Sequence, residues 1–120
     1  MKKRILIVED DLDNAILVRL LLERENFDVL TAENGENGIA VTKKEHPDLI
    51  VLDLDMPVMD GWMMIEKIKE DKNAADIPIV VVTAHLLPDE KSKAFDAGCD
   101  GYVLKPFHVK ELIAEIKRFL

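Results

Sequence analysis

A chain of 120 residues with 48% hydrophobic and 33% charged residues is long enough for one continuous core and too rich in both classes for disorder. Its 16 Lys and Arg stand against 24 Asp and Glu, and the resulting formal net charge of -8 argues against nucleic acid as the direct ligand. The lone Cys99 leaves no internal disulfide, and no apolar run reaches membrane-spanning length or follows a signal-peptide pattern, so a cytoplasmic protein without a membrane partner is expected.

The chain alternates short apolar runs with longer stretches of helical period. Arg4-Ile5-Leu6-Ile7-Val8 reads as a buried strand closed by Glu9-Asp10-Asp11. A helix is predicted over Asn14–Glu25, with Leu17, Val18, Leu21 and Leu22 on its inward stripe and Ile16 and Leu20 on another face. Phe27–Thr31 is a second, more polar strand, and a helix over Glu36–Lys44 follows, with Ile39, Ala40 and Lys43 in phase and Pro47 as its stop. Leu49–Leu52 is wholly apolar and ends at Asp53. After the loop from Asp55 to Gly61, a helix runs from about Trp62 to Glu70, with Met64, Ile65 and Ile68 inward, Trp62 in the core and Met63 exposed. Ile79–Val82 is a fourth strand ending at Thr83. Pro88 suits the first turn of a helix reaching Ala97, and Gly98 suits its C-cap. Tyr102–Leu104 and an amphipathic helix over Val109–Leu120 complete the order, with residues 1–120 expected as a single domain.

Five strand-then-helix repeats predict an α/β fold, a parallel sheet between two helical layers. The runs at Ile5, Leu49 and Ile79 are apolar on both faces and belong in the centre, whereas the polar second strand belongs at an edge. Right-handed crossovers then favour the strand order 2-1-3-4-5, with a ligand site beyond the carboxyl ends of strands one and three. That topology delivers Glu9, Asp10, Asp11, Asp53, Thr83 and Lys105 to one place. Crowded carboxylates must bind either protons or a cation. An all-oxygen donor set without Cys or His suits Mg²⁺, with Mn²⁺ as the alternative, and Mg²⁺ completes its shell with water and phosphate oxygens. Carboxylates are covalent phosphoryl acceptors, and a metal, a lysine and a hydroxyl are the groups that neutralise the transferring charge.

Five segments, Val8-Glu9-Asp10-Asp11, Leu52-Asp53, Met56-Pro57-Val58-Met59-Asp60-Gly61, Val82-Thr83-Ala84 and Tyr102-Val103-Leu104-Lys105-Pro106-Phe107, together resemble response-regulator receiver domains of two-component signalling across essentially the whole chain. The resemblance implies a flavodoxin-like (βα)5 three-layer sandwich. It implies Asp53 as phosphoacceptor, Asp10 as a direct Mg²⁺ ligand, Glu9 acting through bound water, and the main-chain carbonyl of Asp55 as another ligand. It further implies that Lys105, the Thr83 hydroxyl and the Ala84 N–H contact the phosphoryl group. Pro57 and Gly61 would shape a loop, and the Lys105-Pro106 peptide would be cis. Thr83 and Tyr102 would act as the switch, remodelling a face made by helix four, strand five and helix five for a downstream protein target. The donor would be a sensor histidine kinase or a histidine phosphotransfer protein, expected to dock near Ile16 and Leu20.

An enzyme and a flavodoxin-type flavin-binding protein compete with a signalling switch. Leu52-Asp53-Leu54-Asp55 also resembles the nucleophile motif of haloacid dehalogenase-type phosphatases, but the extra acids lie upstream and the chain is short for a cap. A flavin-binding relative would need a Ser, Thr and Gly phosphate cradle where Glu9-Asp10-Asp11 stands. His46, His85 and His108 are too dispersed for a metal cluster; His85 reads as a loop residue, and Cys99 as a small structural one. Met1 at the start and a helix at the end favour a stand-alone regulator over one cut from a larger protein.

Overall fold

Alternation along the strands sorts the interior. In β1 (Arg4–Val8), Leu6 and Val8 point to one side of the sheet, and Ile5 and Ile7 to the other. The computed structural model describes residues 2–56, 58–84 and 88–120, without the side chains of 58–60 and 88–90. The expectations for Pro57 and His85 lie outside the described residues. After β1 come α1 (Leu12–Arg24), β2 (Asp28–Ala32), α2 (Gly35–Glu45), β3 (Leu49–Asp53), α3 (Val58–Glu70), β4 (Ile79–Thr83), α4 (Pro88–Ala97), β5 (Gly101–Leu104) and α5 (Val109–Arg118). All pairings are parallel, in the order β2-β1-β3-β4-β5.

Strands β3 and β4 are buried throughout, as their unbroken apolar runs require, and β2 stands at an edge. One core layer packs Leu6, Ile50, Leu52, Ile79 and Val81 against Met64, Ile65 and Ile68 of α3 and Ala94 of α4. The opposite layer packs Ile5, Ile7, Val51, Val80 and Val103 against Leu22 of α1 and Leu112 and Ile116 of α5. Helix α4 ends at Ala97 and is followed by Gly98, whose φ of 119° is a conformation that costs glycine little. The Lys105-Pro106 peptide is cis.

Several helical phases differ from the sequence expectation. Helix α1 begins at Leu12, because the Asp11 carboxylate caps it by accepting from the N–H groups of Asp13 (2.9 Å) and Asn14 (3.2 Å). Its buried residues are Ala15 and Leu22, with Val18 and Leu21 half-buried; Leu17 is 56% exposed and leaves the inward stripe. Small Ala15 brings the helix close to the sheet and turns the larger Leu17 outward. In α2 the buried positions are Gly35, Gly38 and Thr42, while Ala40 and Lys43 face solvent. A Cβ on Gly38 would lie 2.8 Å from Met64 Sδ, so glycine sets that close approach.

Helix α3 starts at Val58, which places Gly61 inside the helix rather than in a loop. A Cβ there would meet Leu54 Cδ2 at 2.8 Å. Met64 is fully buried as expected; Trp62 is half-buried against the core, and Met63 is also half-buried rather than exposed. His46 and His108 sit at helix ends, His46 as the left-handed C-cap of α2 and His108 as the N-cap of α5. Among the described residues no helix is long and apolar enough to cross a membrane.

Candidate functional site

The carboxyl ends of β1, β3, β4 and β5 meet at one edge. Parallel pairing sets Val8 beside Leu52, Asp53 beside Val82 and Thr83 beside Leu104, so the residues at or just after each strand end become neighbours. Further main-chain bonds continue the ladders into the loops: Glu9 N–H to Ala32 O (3.0 Å), Leu54 N–H to Val82 O (2.9 Å) and Lys105 N–H to Thr83 O (2.8 Å). The side chains are therefore carried on backbone fixed by the buried sheet.

Glu9, Asp10 and Asp53 each bring a carboxylate oxygen within 4.8 Å of the others. Glu9 and Asp53 are buried, and Asp10 is open to solvent. Burial, the hydrogen bond and charge of Asp53, and the charge of Asp10 push the Glu9 carboxyl up to about 8, against a smaller opposing pull from Lys105. Glu9 Oε2 is buried with no hydrogen-bond partner among the described residues. A buried oxygen without a donor, beside two further carboxylates and no soft ligand, fits a hard divalent cation.

On the other side of Asp53 lies a cation. Lys105 Nζ is 3.1 Å from Asp53 Oδ2 and 3.2 Å from Asp55 Oδ2. Burial alone would lower the lysine pKa, but these two carboxylates hold it above its ordinary value. The Asp55 N–H donates to Asp53 Oδ1 at 2.8 Å, closing a tight turn after β3. The Asp55 carboxylate accepts from Thr83 Oγ1 (2.8 Å) and from the Ala84 N–H (2.9 Å). Burial would raise the Asp55 pKa, yet these two donors and Lys105 hold it below the usual carboxylate range.

Glu9, Asp10, Asp53, Asp55, Thr83, Ala84 and Lys105 thus converge, while Asp11 serves as a helix cap. Tyr102 stands apart: half-buried, it stacks on Phe95 at 6.4 Å between ring centroids, with Lys91 Nζ 5.7 Å from its ring. The sequence marks Asp55 as an added acid two residues past Asp53, able to alter the lifetime of an acyl phosphate, but does not disclose which groups its carboxylate engages. The available signal is a second acid two residues past Asp53, opposite a hydroxyl at the end of β4 and an ammonium after β5. Cys99 is buried, and its thiol is pushed up to about 12 by burial and by Asp100, partly offset by Lys69, as befits a structural residue.

Comparison with known proteins agrees with this geometry. Residues 5–117 match the family model described as response regulator receiver domain. The chain is 39% identical over 117 residues to the DNA-binding dual master transcriptional regulator RpaA of Synechocystis sp., covering 98% of this chain and 48%, about half, of that protein. It is 31% identical to the polar-differentiation response regulator DivK of Brucella ovis, covering 100% of this chain and 98% of DivK. Among solved structures, chemotaxis protein CheY4 of Vibrio cholerae superposes with a TM-score of 0.94 at 27% identity, covering 100% of both chains. These similarities leave the phosphatase alternative without support. A parallel sheet in the order 2-1-3-4-5, an acidic edge and a full-length family match lead to one conclusion: the chain belongs to the response-regulator receiver family of two-component signalling.

Proposed function

We propose that residues 1–120 act as a single cytoplasmic receiver unit in which Asp53 is the phosphoacceptor. A carboxylate oxygen of Asp53 attacks the phosphorus of a phosphohistidine, forming an acyl phosphate, and the P–N bond breaks with its electron pair returning to the imidazole. Glu9, Asp10, Asp53 and the Asp55 main-chain carbonyl would hold Mg²⁺, or Mn²⁺ in its place. When bound, such an ion supplies positive charge to the transferring group. Lys105 pairs with the phosphoryl oxygens, and Thr83 and the Ala84 N–H hydrogen-bond to them. The observation that carries this reading is a buried Asp53 lying between the Lys105 ammonium at 3.1 Å and a Glu9 carboxyl whose Oε2 has no hydrogen-bond partner among the described residues.

The phosphoryl group then draws on Thr83, and Tyr102 changes rotamer to remodel the face formed by α4, β5 and α5, where a protein target binds. The donor is a sensor histidine kinase or a histidine phosphotransfer protein that docks at Ile16 and Leu20, 45% and 54% exposed. Leu17 supports this site as well, because it lines a groove of about 560 Å³ with Leu21, Phe107 and Leu112 that opens beside Asp53 and Lys105. No direct nucleic-acid contact is expected from this acidic chain, and its activity is limited to its own acylation and deacylation.

Acetyl phosphate with Mg²⁺ followed by intact mass tests the chemistry. One hydroxylamine-labile phosphoryl adduct, absent from Asp53→Ala, is expected, and an adduct that survives that substitution refutes the assignment. Side-chain NMR showing an unchanged Tyr102 rotamer in both states would remove the switch. Normal transfer from the cognate donor to the chain carrying Ile16→Asp and Leu20→Asp would remove the docking site.

A further inference from the structure

Both oxygens of the Asp55 side chain are already engaged by the groups that an acylated Asp53 would call upon. Thr83 Oγ1 donates to Oδ1 at 2.8 Å, the Ala84 N–H donates to Oδ2 at 2.9 Å, and Lys105 Nζ lies 3.2 Å from Oδ2. These donors come from the ends of two different strands and converge on one carboxylate. A carboxylate and a phosphoryl group are both oxyanions and select the same donors. The capacity of those donors is limited: a main-chain N–H and a hydroxyl each hold one hydrogen, and only the ammonium, with three, can serve two anions together.

We infer that the Asp55 carboxylate is a resident competitor for the phosphoryl-oxygen subsite, occupying Thr83, Ala84 and Lys105 until Asp53 is acylated. This rests on the acyl-phosphate reading above and adds a latch to it. Asp55 is a positioning residue here: it holds the receiving groups in a closed arrangement that the incoming phosphoryl group must open. The geometry permits release. The Asp55 side chain is 22% exposed, so it can swing to solvent, while its own N–H remains fixed to Asp53 Oδ1 at 2.8 Å. Acylation then exchanges one anion for another at a preformed set of donors. Thr83 is engaged toward Asp55 before phosphorylation, and its bond changes partner.

The test uses the full chain as wild type, Asp55→Ala and the isosteric Asp55→Asn, each at saturating Mg²⁺ with acetyl phosphate as donor. Acylation is followed by intact mass, and hydrogen exchange of the Ala84 amide is followed by NMR in the resting state. Asp55→Ala is expected to acylate roughly fivefold to tenfold faster and to lose Ala84 protection, as release of a hydrogen-bonded competitor requires. Asp55→Asn, which keeps one acceptor oxygen without the charge, is expected in between and guards against a misfolded alanine variant. Rates within about twofold of wild type, or unchanged Ala84 protection, overturn the latch while the acyl-phosphate reading stands. No adduct on any of the three chains overturns both.

Discussion

Replacing Glu9 with Gln should stabilise the folded protein, and the gain should depend on pH. The Glu9 carboxyl has an ordinary value of 4.5 and is pushed up to about 8 in the fold. Below pH 4.5 it is protonated whether folded or unfolded, and its ionisation contributes nothing to the difference. Between the two values the unfolded chain gives up the proton and the folded chain keeps it, so stability falls as pH rises. From the ordinary value of 4.5 to pH 7 the loss amounts to about 3 kcal/mol, at 1.36 kcal/mol per unit. Glutamine cannot ionise, and Glu9→Gln should match wild type near pH 4.5 and exceed it by about 3 kcal/mol at pH 7. Urea unfolding at several pH values, without divalent cations, measures this directly. Millimolar Mg²⁺ should raise the wild-type midpoint more at pH 7 than at pH 5, because the ion and the proton compete for the same oxygens. Parallel stability curves for the two proteins across that pH range would refute the reasoning.

Three other outcomes concern the frame around the site. Gly98→Ala should cost about 1–3 kcal/mol in urea unfolding, since its φ is 119° and a Cβ would come within 2.6 Å of Lys69 Cγ. Lys69→Ala should cost a similar amount, about 1–3 kcal/mol, because Lys69 Nζ binds Ala75 O (3.1 Å), Ile77 O (3.1 Å) and Asp100 Oδ2 (3.2 Å), tying the loop before β4 to the start of β5. Wild-type midpoints in either variant would show those contacts to be dispensable. Cys99, with its thiol pushed up to about 12 and its side chain buried, should resist iodoacetamide at pH 8 in the folded protein and react readily in urea. Its raised thiol value means that stability is lost only as pH climbs above the ordinary 9.0. Rapid labelling of the native state would contradict that burial.

Where backbone alternation carries the information, the sequence suffices. The runs at Ile5, Leu49 and Ile79 reveal central strands, and their ends deliver Glu9, Asp53 and Thr83 to one edge, where Lys105 arrives after β5. Helix phase is harder to see, because close packing is set by small residues that carry little hydrophobic signal. Ala15 in α1 and Gly38 in α2 take the inward positions, and the weightier Leu17 and Ala40 turn to solvent. Capping is local and legible in retrospect, since Asp11 stands immediately before the first turn of α1. The partnership of Asp55 with Thr83 joins positions 28 apart and depends on side-chain direction, which spacing alone does not convey.

Because the sheet divides the interior, two apolar layers lie back to back, one under α3 and α4 and the other under α1 and α5. A methyl truncated at Ile65 and one truncated at Ile116 lie on opposite sides of that wall, and their effects on unfolding should sum. A change of side-chain volume in one layer therefore leaves the contacts of the other in place.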